Sequence, residues 1–152
     1  MTPFRRILVP TDFSKHSEEA VRVAAGLSRL CAAPLTVMTV CETLVVPVPE
    51  DGVIPPPKVM VGAYDHTCQQ LAHAADQARA EGAVAVESVV LQGAPFIEIM
   101  ARAHDGDYDL IVMGTHGRTG LKHLVLGSVA EHVVRRAPCA VLTVRLPMPH
   151  TE

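Results

Sequence analysis

At 152 residues, with 49% hydrophobic but only 3% aromatic residues and no tryptophan, the chain suits one domain with an aliphatic core and lacks the aromatic faces on which single-stranded nucleic acid stacks. A formal charge of −3 gives no electrostatic ground for a nucleic-acid partner, so any anion site has to be local. No apolar run approaches the length of a membrane span, and the N-terminal run breaks early at Pro10 and Asp12, so a cytoplasmic protein with neither membrane nor nucleic acid as partner is expected.

Short β-branched runs alternate with segments of helical period, the pattern of parallel strands joined by crossover helices. The first run, Arg6 to Val9, is followed by VPTDFSKHSEEA. Ala20, Ala24, Leu27 and Cys31 then keep an apolar stripe on a first helix, with Glu18, Glu19, Arg22 and Arg29 on its polar side. Asp12 is open to two readings: a polar contact to a base or sugar, held apart from any phosphate, or a turn residue leading to a helix cap at Ser14 or Ser17. The second run, Leu35 to Val40, leads into VVPVPEDGVIPPPK, residues 45–58, which is too rich in proline for a helix or a sheet interior and reads as a loop.

Cys68, Leu71, Ala72 and Ala75 mark a second helix, on which His66 and His73 share a face, and Gly82 suits its end. After the third run, Val84 to Leu91, a third helix carries Phe96, Ile99, Met100 and Ala103, with Pro95 in its first turn and Gly106 at its end. The fourth run, Leu110 to Met113, opens into MGTHGRTGLKHLVLGSVAEHVV. Ala130, Val133, Val134 and Ala137 mark a fourth helix that Pro138 stops before the last run, Cys139 to Val144. Cys31, Cys41, Cys68 and Cys139 are scattered, with no C-x-x-C pair and no histidine at zinc spacing, so buried reduced thiols and no protein metal ligand are expected.

The expected architecture is an α/β domain over residues 1–152, with five parallel strands and four helices. Ligands in open parallel sheets sit beyond the carboxyl ends of the strands where the strand order reverses. The loops richest in chemistry follow the first and fourth runs. They face one crevice if those strands are neighbours, which is the order 3-2-1-4-5.

The fourth loop has the spacing Gly114-x-x-Gly117, nine residues, then Gly127-Ser128. It is neither a Walker A loop, since no G-K-[ST] follows, nor G-x-G-x-x-G, which argues against P-loop phosphoryl transfer and dinucleotide binding. A glycine loop entering a helix N-terminus nevertheless makes an anion site, and Arg118, Lys122 and His123 add positive charge to it. A capping box of Ser128 with Glu131 would account for Ser128, but not for two glycines directly after a strand. Thr11 and Thr119 offer hydroxyls without a histidine and aspartate arranged to activate them.

The segments ILVPTDFS, YDLIVMGTHGRTGL and PCAVLTVR, with the G-x-x-G-x(9)-G-S spacing, resemble the universal stress protein family over essentially the whole chain. The resemblance implies a Rossmann-like open sandwich of the adenine nucleotide alpha hydrolase type, helices on both faces, and usually a homodimer. In the family's nucleotide-binding branch, residues matching Gly114, Gly117, Gly127 and Ser128 hold the ribose and phosphates of ATP. By the same resemblance Asp12 and the backbone at Val40 lie near adenine and ribose, Pro10 and Met113 line the pocket, and Arg118 stands by the phosphates. Thr11 and Val129 complete the implied set.

The implied cofactor is ATP, with ADP and AMP as alternatives and Mg²⁺ bridging the phosphates. The function expected is a nucleotide-dependent stress-response switch or adaptor with slow or no hydrolysis and no catalytic residue assigned. Its alternatives are a nucleotide-free dimeric adaptor and a slow ATPase or autokinase, for which neither His116 nor His123 makes a clear general base. A homodimer through Cys139 to Val144 has a physical ground of its own, because that run would be an edge strand with no charge before Arg145.

Overall fold

The computed structural model of the chain describes residues 3–42, 50, 52, 57–117 and 126–147, and in 57–61 the backbone only. The elements are β1 (Ile7–Pro10), α1 (Lys15–Cys31), β2 (Pro34–Cys41), α2 (Pro57–Ala80), β3 (Val84–Gln92), α3 (Pro95–Asp105), β4 (Leu110–Gly114), α4 (Ser128–Arg136) and β5 (Ala140–Val144). All five strands are parallel in one sheet of order β3-β2-β1-β4-β5, as the two loops required.

Strand alternation divides the core in two. Ile7, Val9, Leu35 and Val37 pack with Ala20, Ala24, Leu71 and Ala78 of α1 and α2. Leu8, Met38 and Ile111 pack on the other face with Ile99 and Ala103 of α3 and Ala130 and Val133 of α4. The helices bury small residues because a closely packed helix leaves little depth above a parallel sheet.

Several expected boundaries and faces shift. β1 begins after Arg6 and β5 after Cys139. The loop expected over 45–58 lies mostly outside the described residues, but its last two positions open α2, where a proline at the first helical residue sacrifices no hydrogen bond. Ala72 and Val134 are exposed, because each follows a residue already aimed at the sheet and a helix turns about 100° per residue. The buried stripe of α2 is Leu71, Ala74, Ala75 and Ala78. Leu27 is only half-buried.

A polar clip holds the amino ends of the two central strands together. The backbone N–H groups of Arg5 and Arg6 donate to the Asp109 carboxylate at 2.8 and 3.0 Å, and the Asp109 N–H donates to the Arg6 carbonyl at 3.1 Å. Beside it the Arg6 guanidinium lies 4.5 Å from the centroid of Tyr108, whose hydroxyl donates to the buried Thr36 hydroxyl at 2.7 Å. Partial burial alone would raise the Asp109 pKa, but the two amides and the Arg5 guanidinium hold it below the ordinary carboxylate range.

A carboxyl depressed on folding contributes stability that is present above its unfolded pKa of about 3.9 and is lost as pH falls through the folded value. Asp109→Asn should therefore cost about 1 kcal/mol near neutral pH, and the deficit should shrink in urea melts taken below about pH 4. A deficit that stayed constant down to pH 3 would mean the clip acts through shape alone.

Candidate functional site

The crevice opens at the carboxyl ends of β1 and β4. From the β1 side, Pro10 closes the strand and Thr11 is buried, with its N–H donating to the Met38 carbonyl at 2.8 Å and its own carbonyl accepting from the Thr39 hydroxyl at 2.8 Å. The Thr11 and Ser17 hydroxyls lie 3.0 Å apart, and the Phe13 N–H donates to Thr11 Oγ1 at 3.0 Å. Phe13 has φ 64°, a left-handed conformation that costs a bulky residue free energy and persists only where its surroundings enforce it. Past this bend Asp12 Oδ1 accepts from the Ser14 N–H at 3.0 Å, and Ser14 caps α1 by accepting from the Ser17 N–H. The turn-and-cap reading of Asp12 and Ser14 thus holds.

Asp12 is not held apart from the glycine loop. A Cβ on Gly117 would lie 2.7 Å from Asp12 Oδ2, so the two loops meet at this point and the second is a glycine because a carboxylate fills the space. Gly114, the last residue of β4, serves helix packing instead: a Cβ there would lie 2.8 Å from the carbonyl carbon of His16 in the first turn of α1. Gly127 adjoins the loop's own backbone, where a Cβ would come within 3.3 Å of the Thr115 carbonyl oxygen and 3.6 Å of the Gly117 nitrogen.

Gly127, not Ser128, is the N-cap of α4, and no side chain caps the helix, so the expected capping box does not form. The Gly127 N–H turns back to the Thr115 carbonyl at 2.6 Å, while Ser128, exposed, and Val129, half-buried, begin the helix. Among the described residues no side chain caps this helix start, which carries the positive end of the macrodipole. Met113 is buried beneath, against the α3 and α4 core. Val40 packs on that same face from β2, next to β1 in the sheet. Arg118 lies outside the described residues, as do Thr119, Lys122 and His123.

Two residues join the site without a sequence signal beyond their position. Thr115 is almost wholly buried; its N–H donates to the Val144 carbonyl at 3.0 Å, and its hydroxyl lies 2.9 Å from His116 Nδ1. His16 packs under Gly114 with its ring centroid 5.2 Å from that of His116, and its Nδ1 is buried without a hydrogen-bond partner. Beside the crevice, between α1 and α2, lies a cleft of roughly 320 Å³ lined by Thr11, Phe13, Glu18, His66, Gln70 and His73. It adjoins the β1 turn.

The sequence profile described as the universal stress protein family matches residues 3–145. A universal stress protein of Methanocaldococcus jannaschii is 32% identical over 95% of this chain and 84% of its own length. Among solved structures, the universal stress protein UspA from Lactobacillus plantarum superposes with a TM-score of 0.81 at 25% identity, covering 93% of this chain and 97% of that one. A universal stress protein solved in complex with cAMP gives a TM-score of 0.66 at 28% identity, covering 93% of this chain and 96% of that one.

The glycines' different neighbours separate their substitution effects. Gly114→Ala forces a Cβ against helix backbone that cannot rotate away and should destabilise the fold by about 1–3 kcal/mol in urea melts. Gly127→Ala should stay within about 1 kcal/mol of the parent, since its neighbours need give only slightly and alanine is merely a weaker cap. Equal losses would show that Gly127 also bears on helix packing.

Proposed function

The chain belongs to the universal stress protein family, and from that premise we propose that it binds an adenine nucleotide in the β1–β4 crevice as a stress-response switch or adaptor. The observation that carries this reading is the meeting of Asp12 and Gly117 from two loops beside an uncapped α4 start at Gly127. The two ends of that crevice have opposite electrostatic character. A phosphate belongs by the Ser128 and Val129 amides, since the Gly127 N–H is already given to the Thr115 carbonyl. The Asp12 carboxylate suits a neutral hydroxyl donor, which the ribose supplies.

On this reading the adenine lies over Pro10 and Thr11 and reaches the backbone at Val40, with Met113 beneath and Gly114 giving α1 its close approach. Arg118 adds charge by the phosphates. The ligand is ATP, or ADP or AMP, and Mg²⁺ enters with it on the phosphates, since Mg²⁺ keeps several waters and takes few protein carboxylates. The cAMP held by one relative supports the adenine-nucleotide class. Nucleotide occupancy stabilises the form that binds it, which lets it act as a switch without turnover.

The reading includes a homodimer through β5. Ala140 and Leu142 are exposed on this edge strand, Leu142 at 38%, and no charge interrupts it before Arg145. Among the described residues, no helix is long and apolar enough to cross a membrane.

Calorimetric titration of nucleotide-stripped protein with Mg-ATP should give saturable binding at one site per chain, abolished by Gly127→Ala and weakened at least about tenfold by Asp12→Ala. Ligand at about a hundred times its dissociation constant should add about 2.7 kcal/mol to the stability of the wild type. A folded, stripped protein that takes up no nucleotide would leave the dimeric adaptor as the function. In sedimentation velocity, Leu142→Glu should shift a dimer to monomer, because a charge on an edge strand opposes pairing with a second copy.

A further inference from the structure

The cleft of roughly 320 Å³ between α1 and α2 has no role in the proposed nucleotide site. The buried part of its lining is Thr11, Val21 and Ala74, with the half-buried Phe13 beside them. Val21, Ala74 and Phe13 pack in the core on the α1 and α2 face of the sheet, whereas Val40 and Met113 pack in the core under α3 and α4. The cleft is therefore on the face opposite to Val40 and Met113, and its lining shares only Thr11 with the proposed site. Thr11 serves there as wall, because its N–H is given to Met38 and its hydroxyl is taken up by Phe13 and Ser17.

Two features mark the cleft as a place for a ligand. The first is Phe13, whose φ of 64° holds a bulky residue in the left-handed region. Strain of this kind persists where the surroundings over-determine it, and it clusters at ligand clamps and active sites. The second is the polar wall on α2, where Gln70, Ala74 and Gln77 follow the i, i+4, i+7 spacing of one helix face, joined by Gln69, His66 and His73. Among the described residues, none of the three carboxamides is spent on a hydrogen bond. Each offers donors and an acceptor side by side. Glu18 is the only acidic side chain among the described lining residues, and no lysine or arginine is among them.

A lining with one carboxylate and no lysine or arginine repels a phosphate. What it matches is an uncharged flat ring with donors and acceptors along its edge, the ring lying on Phe13, Val21 and Ala74 and the edge meeting the carboxamides. Purines have this form: a base stacks on an aromatic side chain, and glutamine pairs with N6 and N7 of adenine through two hydrogen bonds. Small-ligand pockets span about 300–1,000 Å³, so this cleft is at the size of a base or nucleoside. We infer that the α1–α2 cleft is a second ligand site, for a neutral purine base or nucleoside, with Phe13 as the stacking surface and Gln70 and Gln77 reading the ring edge. The inference stands whether or not the crevice takes a nucleotide.

The test titrates the full, nucleotide-stripped chain with adenosine and follows the backbone amide shifts by nuclear magnetic resonance. Saturable shifts are expected at Phe13 and along α2 from His66 to Gln77. The Gln70→Ala and Gln77→Ala double variant, in which alanine keeps α2 a good helix, should weaken adenosine binding at least about tenfold and leave the calorimetric response to Mg-ATP as in the wild type. Purine riboside, which is adenosine without the exocyclic amine, should bind about fivefold more weakly, the worth of one hydrogen bond. Shifts confined to Val40, Met113, Gly114 and the start of α4 would put adenosine in the crevice and overturn the inference. So would the absence of any saturable shift at millimolar adenosine, a double variant that binds as the wild type does, or purine riboside bound as tightly as adenosine. A chain that takes adenosine on α2 but ignores Mg-ATP would uphold this site and refute the nucleotide reading of the crevice.

Discussion

Parallel strands can be joined only by crossovers, and crossovers are right-handed; from β1 this chain uses that rule in two directions. The chain first moves outward through α1 and α2 to β3, then crosses back beyond β1 through α3 and α4 to β5. A reversal of direction with constant handedness sends the two helix pairs to opposite faces. Between them, above β1 and β4, the turns diverge. Everything else about the site is a consequence of which residues happen to stand at that one gap.

Those residues divide the crevice by charge. The Asp12 carboxylate accepts from the Ser14 amide, and beside it a buried hydroxyl network running from Thr39 through Thr11 to Ser17 holds the turn. Such a network keeps its geometry because each buried polar group that lost its partner would be left unsatisfied. The strained Phe13 is part of the same arrangement, since its N–H donates to the Thr11 hydroxyl. On the proposed reading, the Asp12 carboxylate by the ribose and the Ser128 and Val129 amides by the phosphates would give the crevice a direction and let a nucleotide enter it only one way round.

The strands, their order and the crevice were legible because they rest on strong local signals: β-branched runs, punctuating prolines and two polar loops that had to face each other. Helix faces were less legible, since Leu71 and Ala72, or Val133 and Val134, are both apolar and only packing decides which one turns inward. The capping box at Ser128 fits a local rule, but the turn of Gly127 onto the Thr115 carbonyl moves the helix start by one residue. Likewise the glycine spacing does not say that Gly114 answers to α1, because the contact with His16 joins residues almost a hundred positions apart.

Thr115 links the crevice to the sheet edge. Its carbonyl accepts from Gly127, which starts the helix by the anion end, and its amide donates to Val144, the last residue of β5. The start of α4 and the end of the edge strand are thereby joined through two backbone hydrogen bonds across one nearly inaccessible residue. Buried backbone bonds of this kind cannot be given up without leaving unsatisfied polar groups, which ties the start of α4 to the end of β5. If nucleotide occupancy and pairing of two chains are coupled in this protein, the shortest path between them is one residue long.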